Sequence, residues 1–148
     1  MNKAPNHKKI SAVRAAILNQ DGKLLMLKRS LEQDSCCLCW EFPGGRCNDN
    51  EGIDQAFKRE LCEETGIVAE NFIQLVELEK GFISGGFYHG FLCENYLGII
   101  EVEESDITIS YEHVEYGWFD LSELQNLELA YYMKYNLKGF NKHAKKLK

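Results

Sequence analysis

The hydrophobic pattern of the chain breaks into short apolar runs separated by turn residues, with two stretches of helical period. Ser11-Ala-Val-Arg-Ala-Ala-Ile-Leu18 is apolar apart from its first residue and Arg14. Asn19-Gln-Asp-Gly22 interrupts it and Leu24-Leu-Met-Leu-Lys-Arg-Ser30 resumes, which predicts a strand, a turn and a second strand. A polar, irregular stretch over 31–39 leads into Trp40-Glu-Phe42, a short extended segment that meets Pro43-Gly44-Gly45. The period changes after Gly52. Ile53, Ala56, Phe57 and Leu61 form one stripe, Gly52 stands at the N-cap and Gly66 at the stop, so a helix is predicted over 53–65. Segments 72–78, 86–93, 96–102 and 115–119 predict further strands, and 128 to about 138 a second helix. With no repeat or low-complexity linker, the pattern predicts one α+β domain over 1–148, a mixed sheet with helices packed on it.

Composition narrows the class. The chain has 148 residues, 45% of them hydrophobic, and no apolar run near the ~20 residues of a membrane span. Its first nine residues lack the apolar stretch of a secretory signal, and the expectation is a cytoplasmic protein with no membrane partner. The six cysteines then read as reduced thiols. Cys36 and Cys39 have the spacing of half a zinc knuckle, and Cys47 with His89 or Cys93 could supply the rest, but without a second tight pair the reading stays with unligated cysteines. Charge is segregated: residues 49–128 hold nineteen of the 23 acids and only Lys58, Arg59 and Lys80 as bases. Such a middle repels duplex phosphates and suits bound divalent cations. The basic stretch within 128–148 reads as a solvated helix face or tail.

The predicted helix concentrates the chemistry. Glu60, Glu63 and Glu64 stand at i, i+3 and i+4 and, at ~100° per residue, share one face. Each like-charge pair at that spacing costs ~0.2–0.5 kcal/mol, and a carboxylate in the last turns faces the negative end of the helix dipole at a further ~0.3–1 kcal/mol. Three glutamates in that position are unfavourable for the helix alone and suit a hard cation bound through oxygen.

Gly45, five residues, Glu51, seven residues, then Arg59-Glu60-Leu61-Cys62-Glu63-Glu64-Thr65-Gly66-Ile67 resembles the signature of the Nudix hydrolases with no position substituted. The approach Trp40-Glu-Phe-Pro-Gly-Gly45 and the segment Trp118-Phe-Asp-Leu-Ser-Glu-Leu124 also resemble that family. The resemblance implies a Nudix fold, an α/β/α sandwich around a mixed sheet, and hydrolysis of a nucleoside diphosphate linked to another group with Mg²⁺ or Mn²⁺. It implies metal binding by Glu60, Glu63, Glu64 and the carbonyl of Gly44, with Glu51 and Arg59 bracing the loop against the helix. Attack by water on a pyrophosphate needs its charge neutralised and a carboxylate to take the proton. Glu63 is the candidate within the signature, and Glu112 or Glu115 the candidates from a distal loop, with Glu112 preferred because it falls in a turn and Glu115 in a strand. Arg29 matches a substrate-contacting position of the MutT-type subgroup, and no proline follows Pro43 where many ADP-ribose enzymes carry one.

The expected substrate is therefore a small nucleotide, most readily a modified or ordinary nucleoside triphosphate cut to monophosphate and pyrophosphate. An ADP-ribose or nucleotide-sugar pyrophosphatase and a nucleotide-sensing domain without turnover are the alternatives. Phe82, Tyr88, Tyr111 and Trp118 are open as base-stacking or core residues. The oligomeric state is left open.

Overall fold

A long parallel pairing organises the sheet. In the computed structural model, which describes residues 8–33, 35–69, 74–84, 88–103 and 106–144, strand β1 (Lys9–Leu18) runs beside β7 (Leu92–Glu101) in register from Lys9↔Leu92 to Leu18↔Glu101. β2 (Leu24–Arg29) turns back from β1 through Asn19, whose side chain accepts from the N–H groups of Asp21 and Lys23. On the outer side of β2 lie β3 (Trp40–Glu41) and β8 (His113–Phe119), both antiparallel to it. β4 (Gly44–Arg46) pairs with β1, and β5 (Gln74–Glu77) and β6 (Gly81–Phe82) with β7, all antiparallel. The sheet is mixed, as predicted.

Side-chain alternation decides what each face buries. Val13, Ala15 and Ile17 of β1, Leu25 and Leu27 of β2 and Ile100 of β7 pack against Ala56, Phe57 and Leu61 of α1 (Ile53–Thr65). The opposite parity, Ala16, Leu24, Met26, Leu97 and Ile99, packs on Met133 and Phe140 of α2 (Met133–Ala144), with Phe42 and Leu124 filling the same layer. The result is an α/β/α sandwich. Helix α1 has the predicted limits, and its last turn closes with the Gly66 N–H on the Cys62 carbonyl at 2.9 Å.

Three predicted segments differ. Of the strand expected over 86–93, residues 86 and 87 lie outside the described residues, 88–90 form a turn where Gly90 is left-handed, and β7 begins only at Leu92 and continues unbroken to Glu101. The polar Glu94-Asn95 that suggested a break is carried at the sheet's end beside Lys9 and Lys80. Helix α2 starts at Met133, not 128, because the main chain over 128–130 is bonded to Trp40, whose N–H donates to Glu128 and whose carbonyl accepts from Ala130. β8 begins two residues before the predicted Glu115. Residues 72 and 73 of the strand predicted over 72–78 lie outside the described residues. Among the described residues no helix is long and apolar enough to cross a membrane.

Candidate active site

Where β4 leaves the sheet, it brings two glycines against the glutamate face of α1. Gly44 pairs with Arg14 of β1, and its N–H donates to Glu64 Oε1 at 2.7 Å. A Cβ at Gly44 would lie 2.1 Å from the Val13 carbonyl oxygen, and the residue's φ of +154° also disfavours a side chain. At Gly45 a Cβ would lie 2.7 Å from the carboxyl of Glu60. The two substitutions therefore separate fold from chemistry. Gly45→Ala meets only the end of a flexible side chain, the Glu60 carboxyl, and should keep Tm within a few degrees while turnover drops ~10–100-fold. Gly44→Ala meets backbone and should cost the fold itself. Thermal melts beside initial rates check both.

The three glutamates occupy distinct environments. Glu64 is 3% exposed, and burial, with Glu41 and Glu60 nearby, pushes its carboxyl up to about 8 against the opposing Gly44 N–H and Arg14. Its Oε2 faces Nδ1 of buried His113 at 4.0 Å, and that nitrogen has no hydrogen-bond partner. Burial also raises Glu60, reinforced by Glu63 and Glu112 and opposed by Arg59. Glu63 is solvent-facing and takes a bond from Arg59 Nη1 at 3.2 Å.

Arg59 is the hub on this side. Its Nε and Nη2 grip the two oxygens of Glu51 at 2.7 and 2.9 Å, Nη1 reaches Glu60 at 2.9 Å, and Nη2 also donates to the Arg46 carbonyl at 3.0 Å. The Arg59 fork and the Asn48 N–H hold Glu51 down to about 2. The contact is a bidentate clasp that ties the loop after β4 to the helix.

The donor set, three carboxylates on one helix face with a glycine backbone beside them, is all oxygen and suits a hard divalent cation. Among the described residues the side chains do not converge on one point, since Arg59 holds Glu60 and Glu63 while the Gly44 N–H holds Glu64. The raised affinity of Glu60 and Glu64 for protons is the electrostatic cost a cation would relieve.

Glu112 lies in the turn before β8, anchored by Ser30 N–H on its carbonyl at 2.9 Å, and close enough to Glu60 to raise that carboxyl. Glu115 sits within β8 opposite Lys28, its carboxylate 3.8 Å from Lys28 Nζ. Arg29, at the end of β2, is engaged on every nitrogen: Nε with the Ser35 carbonyl, Nη1 with Glu41 and Tyr132, Nη2 with Gln33. Nη2 keeps a second N–H.

One cluster escaped the sequence reading. Glu41, 1% exposed, accepts from Arg14 at 3.0 Å, through both of its oxygens from Arg29 Nη1 at 3.1 Å and from the Tyr132 hydroxyl, and meets His113 Nε2 at 2.8 Å. Burial opposes its charge, but Arg14, the His113 bond and Arg29 outweigh burial and hold the carboxyl below the usual range. His113 thus stands between Glu41 and Glu64, linking the buried cluster to the glutamate face. The only sequence signal was a charge inside each of two apolar runs, Arg14 and Glu41.

Of the aromatic candidates, Trp118 packs in the α1-side core, Tyr111 and Phe82 are exposed, and Tyr88 lies under the Arg46 guanidinium. All six cysteines are free thiols, and Cys36 and Cys39 lie near each other at one turn.

A family model of the NUDIX domain matches residues 8–139. The chain belongs to the Nudix family. This Nudix chain is 46% identical over 61 residues to a CTP pyrophosphohydrolase of Escherichia coli K12, covering 41% of the chain and 44% of that protein. It is 31% identical over 125 residues to an RNA pyrophosphohydrolase of Sphingopyxis alaskensis, covering 75% and 77%. Against the CTP enzyme, and against an 8-oxo-dGTP diphosphatase of Haemophilus influenzae at 47%, the match spans under half of the relative's length. In three dimensions it resembles the MutT protein of Methanosarcina mazei Go1, with TM-score 0.77, 25% identity and 98% and 99% of the two chains covered. The E. coli ORF135 protein gives TM-score 0.75 at 27% identity over 94% and 93%.

Proposed function

We propose that this Nudix protein hydrolyses a nucleoside triphosphate to monophosphate and pyrophosphate, using Mg²⁺ or Mn²⁺ held by Glu60, Glu63, Glu64 and the Gly44 carbonyl. The observation that carries this reading is the buried Glu64 carboxyl, fixed by the Gly44 N–H and set beside Glu60 against Gly45. Relatives named for CTP, 8-oxo-dGTP and RNA substrates support the substrate class. When bound, the cation supplies neutralisation of the phosphate oxygens and a more acidic attacking water.

The chain's own residues then have separate tasks. Arg59, clasped by Glu51, sets the orientation of Glu60 and Glu63 from the loop side. Arg29 offers the free N–H of Nη2 to a substrate oxygen at the edge of the site. Glu112 takes the proton from the attacking water, because its turn allows the carboxylate to move over the glutamate face, whereas Glu115 is tied into the β8 pleat beside Lys28. Loss of such a base should lower turnover by ~100- to 10,000-fold and remove one limb of the pH–rate profile with KM little changed. Glu112→Gln should show this and Glu115→Gln should not. The reverse pattern, or loss only in Glu63→Gln, would move the base elsewhere.

The test of the function is a panel of nucleoside triphosphates, ADP-ribose and nucleotide sugars with Mg²⁺, Mn²⁺ or chelator. Metal-dependent release of pyrophosphate from a triphosphate supports the reading. Exclusive turnover of ADP-ribose or a nucleotide sugar transfers it to the other branch, and binding without turnover of any of them makes the domain a sensor.

A further inference from the structure

Three of the six cysteines fall in one tight turn between β2 and β3, and the reaction proposed above uses none of them. Cys36 and Cys39 are the ends of that turn. The Cys39 N–H donates to the Cys36 carbonyl at 3.1 Å, the bond that closes a four-residue turn and brings its first and last Cα atoms within ~7 Å. That is the span a disulfide bridges. The two side chains also share a direction, since both pack, partly buried, on the cluster that holds Trp40 and Phe42, and the two thiols are in side-chain contact. Cys37 points elsewhere. It is exposed, and its Sγ lies against the carbonyls of Leu31 at 3.6 Å and Gln33 at 3.1 Å, on the chain that enters the turn.

The turn is wound in a form its residues do not favour. Cys36 and Leu38 stand at φ of +53° and +63°, in the left-handed region that side chains other than glycine rarely enter. Neighbouring bonds impose it: the Leu38 N–H donates to the Arg29 carbonyl and the Arg29 N–H to the Cys39 carbonyl, each at 2.9 Å. Arg29 Nε adds a bond to the Ser35 carbonyl at 3.1 Å. Turn and arginine therefore hold each other in place, and a covalent link across the turn would strengthen the same constraint. Burial first, then Glu128 and Cys36, push the Cys39 thiol up, so it stays protonated and leaves the first attack on an oxidant to Cys36.

We propose that Cys36 and Cys39 form a reversible oxidation site, at which hydrogen peroxide joins them in a disulfide that staples the turn around Arg29 and a dithiol reopens it. The Cys36 thiolate attacks one peroxide oxygen, the O–O bond breaks and hydroxide leaves, which makes Cys36 a sulfenic acid. The Cys39 sulfur then attacks the Cys36 sulfur, the S–S bond forms, the S–O bond breaks and the second oxygen leaves as water. The two thiol protons join the peroxide as two waters, and the two electrons it takes come one from each sulfur. Because the folded backbone already holds the two ends at bridging distance, the bond forms with Arg29 in place and stabilises the fold.

The test treats the full chain with hydrogen peroxide under native conditions, alkylates the remaining thiols and maps the peptides by mass spectrometry. A Cys36–Cys39 bond is expected, with two of the six thiols lost to alkylation and dithiothreitol restoring both. Cys36→Ser and Cys39→Ser should abolish the bond and Cys37→Ser should keep it. Oxidised wild type should melt ~3–6 °C above the reduced protein, and the Leu38 amide should exchange ~10-fold more slowly, whereas Cys36→Ser should show neither change. None of these readouts depends on turnover, and the bond mapped in wild type decides the pairing even where a serine variant fails to fold. A bond through Cys37, Cys47, Cys62 or Cys93, a bond between two copies of the chain, oxidation of Cys36 that stops at a sulfinic acid, or an oxidised form that melts below the reduced one would overturn the proposal.

Discussion

In Glu64→Gln, turnover should fall on the order of 10³-fold or more while the fold persists and the metal-free protein becomes more stable. The amide fills the same volume and keeps an oxygen for the Gly44 N–H, so the substitution removes charge and little else. That charge is costly where it stands. Burial first, then Glu41 and Glu60, push the Glu64 carboxyl up to about 8, so the folded protein holds a proton that the unfolded chain releases near the ordinary carboxylate value of 4.5. Between those values the folded state binds more protons, and stability must fall as pH rises. In chelator, wild-type Tm is therefore expected to decline from about pH 5 to pH 8 and the Glu64→Gln variant to show a flatter curve, higher by several degrees at the alkaline end. Divalent metal should restore the wild type and leave the variant unmoved. Wild-type turnover in Glu64→Gln would remove the glutamate from the reaction.

Glu41→Ala should have the largest effect on stability. Its carboxylate is almost fully buried and faces Arg14, Arg29, His113 and Tyr132 at once. Removing it leaves two half-buried guanidinium groups against each other, and breaking a buried pair from one side costs ~3–5 kcal/mol. For a chain of this size ~1 kcal/mol moves Tm by ~2–4 °C, so a fall of ~10 °C is expected in a thermal melt. The pH dependence has the opposite sign to that of Glu64. Glu41 is held below its ordinary value, so its contribution is complete above about pH 4.5 and is lost as pH falls through its lowered value. Activity should suffer too, because His113 loses the partner that sets it beside Glu64. An unchanged melt would mean that the cluster adds nothing to stability.

The sequence disclosed the parts of the molecule that are written locally. The stripe of Ile53, Ala56, Phe57 and Leu61 and the flanking glycines carry α1 to its limits, and the three glutamates at helical spacing lie on the face that meets Gly44 and Gly45. Glu112 in a turn and Glu115 in a strand were equally legible from the residues between them. What was hidden depends on distant pairing. β7 is one strand of ten residues because β1 lies parallel to it along its whole length, and no local pattern reports a partner some 80 residues away. Likewise α2 gives up its first expected turn to main-chain bonds with Trp40. The Glu41 cluster draws on β1, β2, β3, β8 and the loop before α2, so each member looks like an isolated charge or tyrosine until the sheet assembles.

The central claim is metal-dependent cleavage of a triphosphate within its anhydride chain, and product analysis tests it most directly. The protein is incubated with a nucleoside triphosphate in oxygen-labelled water with Mg²⁺, and the products are separated and weighed. The account predicts a 5′ monophosphate and pyrophosphate in equal amounts, one of them carrying a single label, and neither in chelator. Orthophosphate with a 5′ diphosphate left behind, or equal yields with and without metal, would contradict it.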